Sequence, residues 1–165
     1  MTAIVYTSNT GHTARYAKMI GAKVNLPVYE LREAAKLLEQ GTQVIYLGWL
    51  FANQVSGFRK AKKLFDIVVV CAVGLCDTGT ATAGIREANA MMESLPLFTL
   101  QGGMDKTSLQ RSYRFAINLL AKGMEAKQDK TEDDERMLYL LKNDADYVCE
   151  ENIAAFMQWY GAVKE

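Results

Sequence analysis

The stretch Ala3-Ile4-Val5-Tyr6-Thr7-Ser8-Asn9-Thr10-Gly11-His12-Thr13 decides how the rest of the chain is read. Its first five residues are a short apolar run rich in β-formers, the length of one strand. The run stops at polar Ser8-Asn9 and at Gly11. From Thr13 the apolar period becomes helical, with Ala14, Ala17 and Ile20 or Gly21 on one face. A strand that passes so quickly into a helix is the first half of a β-α-β unit, whose crossover is right-handed.

The alternation continues outward. Leu26 to Leu31 is a second candidate strand, followed by a short helix from Ala34 to Glu39 with Gly41 as its C-cap. Gln43 to Trp49 is a third strand, apolar at its centre, as suits a parallel sheet covered on both faces. A helix over Gly57 to Phe65 turns Phe58, Ala61 and Phe65 inward and leaves Arg59, Lys60, Lys62 and Lys63 as a solvated face. Ile67 to Val73 is the clearest strand. A loop from Gly74 to Thr82, a helix over Gly84 to Met92 and a fifth strand over Pro96 to Leu100, closed by Gly102-Gly103, complete the pattern. The prediction is an α/β fold with a five-stranded, doubly wound parallel sheet. Ligands bind such sheets beyond the carboxyl ends of the strands, here at Thr7–Thr13, Trp49–Val55 and Gly74–Thr82.

More chain follows than one closing helix needs. Leu109, Tyr113, Ala116, Leu120 and Met124 form one amphipathic face, and Met137, Leu140 and Leu141 another. Ile153, Phe156, Met157 and Tyr160 mark the helix that closes the sheet. Residues from about 104 to 143 therefore read as an added helical segment within a single domain spanning 1–165. Residues 1–127 carry 15 basic and 9 acidic side chains, whereas residues 128–165 carry 4 and 10. The run Glu132-Asp133-Asp134-Glu135 reads as a helix start, where acids complement the dipole.

The formal net charge of zero argues against a general basic surface for nucleic acid. No apolar run approaches the roughly 20 residues that span a bilayer, and the first residues lack a basic and apolar leader pattern. The expectation is a cytoplasmic protein. The three cysteines, Cys71, Cys76 and Cys149, form no C-x-x-C pattern, and His12 is the only histidine, which removes multi-histidine metal sites.

Immediately after the first strand the chain offers hydroxyl, amide, hydroxyl, glycine, imidazole and hydroxyl groups in turn. The first N–H groups of the following helix have no internal partner and carry partial positive charge, so an anion is favoured there. Ser8, Thr10 and Thr13 can each donate an O–H, and Gly11 permits a close backbone approach. The loop lacks the lysine of a nucleoside-triphosphate loop and the G-x-G-x-x-G of a dinucleotide fold. It also lacks the cysteine and arginine of a phosphatase loop. The third strand ends in Gly48-Trp49 rather than in the aspartate of a phospho-acceptor domain.

Ser8-x-Thr10-Gly11-x-Thr13 resembles the flavodoxin signature [ST]-x-T-G-x-T, and the fold resemblance covers about residues 2–103 and the last helix. It implies a flavodoxin-like three-layer sandwich with strand order 2-1-3-4-5. It implies FMN, with Ser8, Asn9, Thr10, Gly11, His12 and Thr13 around the phosphate. His12 stands where the family often has asparagine, and its expected contribution is a backbone N–H with the ring outside. The loop around Trp49, Phe51, Ala52 and Asn53 would meet the isoalloxazine ring, with Trp49 or Phe51 packed on it and backbone groups near Asn53 facing N5. Gly74 and Cys76 belong to a third loop, which lacks the tyrosine many flavodoxins stack on the ring. The neutral chain also differs from the strongly acidic electron carriers. Gln101-Gly102-Gly103-Met104-Asp105 is similar to short bacterial flavodoxin-domain proteins and to flavodoxin-like protoporphyrinogen oxidases.

The resemblance implies an FMN electron-transfer protein that delivers electrons to a partner reductase. The alternative is an FMN-dependent oxidoreductase acting directly on a quinone or tetrapyrrole, with a pocket partly built from residues 104–143. A third possibility is a module of the same fold that no longer holds FMN.

Overall fold

The structure, a computed structural model, describes residues 1–164. In chain order its elements are β1 (Ala3–Thr7), α1 (His12–Val24), β2 (Val28–Glu30), α2 (Leu31–Leu37), β3 (Gln43–Phe51), β4 (Gln54–Val55), α3 (Phe58–Leu64) and β5 (Asp66–Gly74). They continue with α4 (Thr82–Asn89), β6 (Leu97–Gln101), β7 (Gly103–Met104), α5 (Arg111–Glu125), α6 (Glu132–Lys142), β8 (Ala145–Asp146), a short 3₁₀ turn (Glu151–Ile153) and α7 (Ala154–Lys164).

The main sheet runs β2-β1-β3-β5-β6 with every pair on that path parallel. Two short pairings extend the five expected strands. β4 folds back antiparallel on the end of β3, and β7 pairs antiparallel with β8 in a small separate sheet. A register shift between Val44 and Ile45 leaves Val68 without an opposite residue on β3. Such a bulge bends and twists the strand.

Strand residues alternate between the two faces. Ala3, Val5, Val44, Tyr46, Val70 and Ala72 pack in one core with Leu31 and Ala34 of α2, Phe58 and Ala61 of α3 and Ile85 of α4. Ile4, Ile45, Leu47, Val69, Cys71 and Val73 pack in the other with Tyr16, Ala17 and Ile20 of α1 and Phe156 and Tyr160 of α7. Helices thus cover both faces, as the continuous apolar strands require. The inward positions expected for α3 are buried, and Arg59, Lys60, Lys62 and Lys63 are exposed.

Several boundaries move. α2 begins at Leu31, directly after β2, and ends at Leu37 with Leu38 as its C-cap, so Gly41 is not its cap. Gly41 instead takes a left-handed φ of 82° and donates its N–H to the Leu64 carbonyl at 2.8 Å. On α5 the buried residues are Ile117 and Ala121, whereas Leu120 is 51% exposed. The expected positions Leu109, Tyr113 and Met124 do turn inward, and Ile117 and Ala121 widen the stripe. Together α5 and α6 enclose a third core, built on Met104, Leu109, Ile117, Ala121 and Leu141 against Phe51 and Leu75. This core sits at the carboxyl end of the sheet. Thr131 and Asp134 form a reciprocal capping box at the start of α6, the acidic helix opening read from the sequence. Among the described residues, no helix is long and apolar enough to cross a membrane.

Candidate functional site

The loops at the carboxyl ends of β1, β3 and β5 converge on one cavity of about 380 Å³. That is within the usual range for small-molecule sites, roughly 300–1,000 Å³. Eleven of the twelve residues singled out in the sequence line it: Ser8, Asn9, Thr10, His12, Thr13, Trp49, Phe51, Ala52, Asn53, Gly74 and Cys76. Gly11 shapes the turn between them.

The first loop is a set of donors with little to receive their protons. Gly11 adopts a left-handed φ of 93° at the N-cap of α1, a conformation that favours glycine. Ser8 Oγ accepts the N–H groups of Gly11 at 3.2 Å and Ala14 at 3.4 Å, which converge on that one oxygen. Its own proton remains to be donated elsewhere. Asn9 Nδ2 is buried and has no hydrogen-bond partner. A buried amide without an acceptor costs about 1–3 kcal/mol, and an anion in the loop would remove that cost. No cationic side chain of the loop itself takes part.

His12 is not placed as expected. Its ring is buried, at 8% exposure, rather than outside. Nδ1 lies 2.9 Å from Thr10 Oγ1, and Nε2 lies 3.9 Å from Asp146 Oδ1. Asp146 is itself bonded to Arg15 at 2.5 Å. Burial lowers the imidazole below its ordinary value, opposed by Asp146 and assisted by Arg15. The ring fits only because residue 103 is glycine: a Cβ there would stand 2.6 Å from Nε2.

The second loop is the two-residue turn of the β3–β4 hairpin. Ala52 and Asn53 both have positive φ, 47° and 62°, the requirement of a primed hairpin turn. Alanine gains nothing locally from that conformation, which costs roughly 1–2 kcal/mol. Ala81, at the N-cap of α4, is likewise left-handed with φ 60° and also lines the cavity. Strain of this kind tends to be held at ligand sites.

Asn89 holds the hairpin in place. Its Oδ1 accepts from Val55 N at 2.9 Å, and its Nδ2 donates to the carbonyls of Asn53 at 2.7 Å and Ile85 at 2.8 Å. Of the backbone groups near Asn53, its own carbonyl is thus already engaged. Trp49 and Phe51 both face the cavity, and Tyr113 of α5 meets each edge-on, with ring centroids 4.8 and 5.4 Å away. Tyr113 buttresses the pair and fixes its orientation.

The third loop is clamped from two sides. Arg136 of α6 forms a two-pronged ion pair with Asp77, at 2.7 and 2.5 Å. Thr78 Oγ1 donates to Asn152 Oδ1 at 2.7 Å and accepts from Gln101 N at 2.9 Å. Asn152 in turn donates to Tyr16 Oη and to the Tyr147 carbonyl. Cys76 stands exposed at the rim, and burial of its sulfur followed by the Asp77 carboxylate pushes the thiol up. It is a thiol at neutral pH, not a thiolate nucleophile.

The fourth wall comes from the added segment, residues 104–143, which the oxidoreductase alternative expects over the pocket, although the sequence does not say which of its side chains line it. Ile117, Leu120 and Met124 of α5, Met137 and Leu141 of α6, and Leu109 just before α5 roof the cavity. Their amphipathic spacing signals burial but not what they are buried against. Comparison of the chain with protein-family models, with curated proteins and with solved structures gave no match.

Proposed function

We propose that the protein binds FMN and works as an electron-transfer flavoprotein of flavodoxin-like architecture that passes electrons to a partner protein. The observation that carries this reading is the neutral donor loop at residues 8–13, with its orphaned Asn9 amide and a Ser8 hydroxyl whose oxygen already accepts two backbone N–H groups and whose proton remains to be donated, at one end of an aromatic-lined cavity. The sheet order β2-β1-β3-β5-β6 gives the same support at the level of the fold. Ser8, Thr10, Thr13 and Asn9 would bind the phosphate. Trp49 and Phe51, set by Tyr113, would orient the ring, and the α5–α6 roof would exclude water. When bound, FMN supplies one- and two-electron redox chemistry, and the protein sets its access and potential.

One observation favours a second reading, an FMN-dependent oxidoreductase acting directly on an apolar substrate such as a quinone or tetrapyrrole. The roof is lined by aliphatic and thioether side chains, suited to holding such a molecule. The test is to purify the protein, record its visible spectrum and titrate the apoprotein with FMN. Micromolar or tighter binding is expected, and a colourless protein that ignores added FMN rejects both readings. Photoreduced, FMN-loaded protein is then mixed anaerobically with a water-soluble quinone. Saturable reoxidation selects the second reading; slow, unsaturable reoxidation selects the first.

A further inference from the structure

The histidine inside the phosphate loop has a consequence that depends on its proton. Thr10 Oγ1 and His12 Nδ1 are 2.9 Å apart, so one of the two must donate to the other. The surroundings of Nε2 are acceptors: Asp146 Oδ1 at 3.9 Å and the Ala145 backbone. The proton of the neutral ring is therefore assigned to Nε2 from its neighbours. Nδ1 is then an acceptor, and the Thr10 hydroxyl spends its only proton on it. In that state Thr10 presents lone pairs to the cavity, which repel an anion.

Resting on the reading of residues 8–13 as a phosphate site, we propose that His12 is a positioning residue that links phosphate binding to uptake of one proton. Protonated, Nδ1 donates to Thr10 Oγ1, and the hydroxyl proton turns to a phosphate oxygen. The cradle then gains a donor and a buried positive charge together, relayed through Thr10 without the ring touching the ligand.

The neighbouring charges fit this coupling. Asp105, Asp144 and Asp146 face the ring from the segments around β7 and β8, and Arg15 faces it from α1. Asp146 and, more weakly, Asp105 can support an imidazolium, while Arg15 is paired with Asp146. Burial keeps the imidazole neutral while the loop is empty. An arriving dianion supplies what the empty site lacks. By linkage, a ligand that raises the ring's affinity for a proton binds more tightly where that proton is available. FMN affinity thus rises as pH falls toward neutrality, and riboflavin, which has no phosphate, shows no such dependence.

The experiment uses the whole chain and two probes, FMN and riboflavin, titrated by flavin fluorescence between pH 6.5 and 8.5. In that range a phosphate monoester, with a second pKa near 6, is mostly dianionic. We expect FMN to bind about tenfold more tightly at pH 6.5 than at 8.5, which needs the ring's proton affinity to rise by more than about one unit on binding, because the ring of the empty loop is already mostly neutral at the lower pH. Riboflavin should vary by less than twofold. Because His12 is the only histidine, its imidazole resonances can be followed directly, and its titration midpoint should move up when FMN is added. His12→Asn should bind FMN with a flat profile over the same range. A flat wild-type FMN profile with an unmoved midpoint overturns the His12 proposal and leaves FMN binding intact. Failure to bind either flavin overturns both.

Discussion

Thr10 contributes one hydroxyl to the loop, and its partner is the imidazole two residues later at 2.9 Å. Removing a donor to a charged group costs about 1.5–3 kcal/mol, so Thr10→Val should weaken FMN binding by about tenfold or more in a fluorescence titration. An unchanged Kd would count against the assigned cradle. Asn89 acts at the same scale but on stability. It is 5% exposed and makes three bonds that join the β3–β4 turn to α4. Asn89→Ala should lower unfolding free energy by about 2–3 kcal/mol in urea, because Val55 N–H and the Asn53 carbonyl lose a buried partner. The chemistry at residues 8–13 was legible because it lies in consecutive residues. Asn89 was not, since an asparagine in a helical run carries no sign of the hairpin it will meet.

Among the elements, α6 depends most on its own first turn. Thr131 accepts from Asp134 N–H, and the Asp134 carboxylate accepts from Thr131 N–H and pairs with Lys127. Thr131→Ala should cost about 1 kcal/mol, read as faster amide exchange across α6. The Lys127 pair, followed by the Thr131 bonds, holds the Asp134 carboxyl down at about 2. A carboxylate with a depressed folded value contributes stability above its unfolded value, near 3.9, and loses it as pH falls toward 2. The protection of α6 amides relative to their intrinsic exchange rates should therefore fall between about pH 4 and pH 2, and Asp134→Asn should remove that acid sensitivity. The acid cluster at 132–135 gave this helix start away in the sequence. α5 was harder, because Phe115, Leu119 and Leu120 are as apolar as Ile117 and Ala121. Only contact with α6 and Met104 decides which stripe is buried, and Phe115 remains 71% exposed.

For the molecule as a whole, the cavity joins the sheet edge to the α5–α6 roof. A ligand that binds only the folded state stabilises it by about 2.7 kcal/mol at a hundredfold excess over Kd. Saturating FMN should therefore raise Tm by several degrees, and riboflavin should raise it less for want of the phosphate. A shift equal for both flavins would remove the phosphate loop from the binding energy. The Arg136–Asp77 clamp ties roof to rim across the surface. Being exposed, it contributes little to global stability, so it holds the roof in register rather than holding the fold together.

The sequence by itself determined the alternation of strand and helix, the apolar strands of a sheet covered on both faces, the inward face of α3, and the hydroxyl-rich loop after β1. These are local properties, set by side-chain period and by the chemistry of neighbouring residues. Tertiary structure alone decided which side chains of residues 104–143 roof the cavity and that Tyr113 sets Trp49 and Phe51. It also decided that the His12 ring turns inward, between Thr10 and Asp146. Each joins segments far apart in the chain, and no residue's own propensity encodes which distant partner it will meet. The loop from Ser8 to Thr13 belongs to both accounts: its donors are written in order along the chain, and the imidazole that meets the Thr10 hydroxyl belongs to a histidine that only the fold could bury.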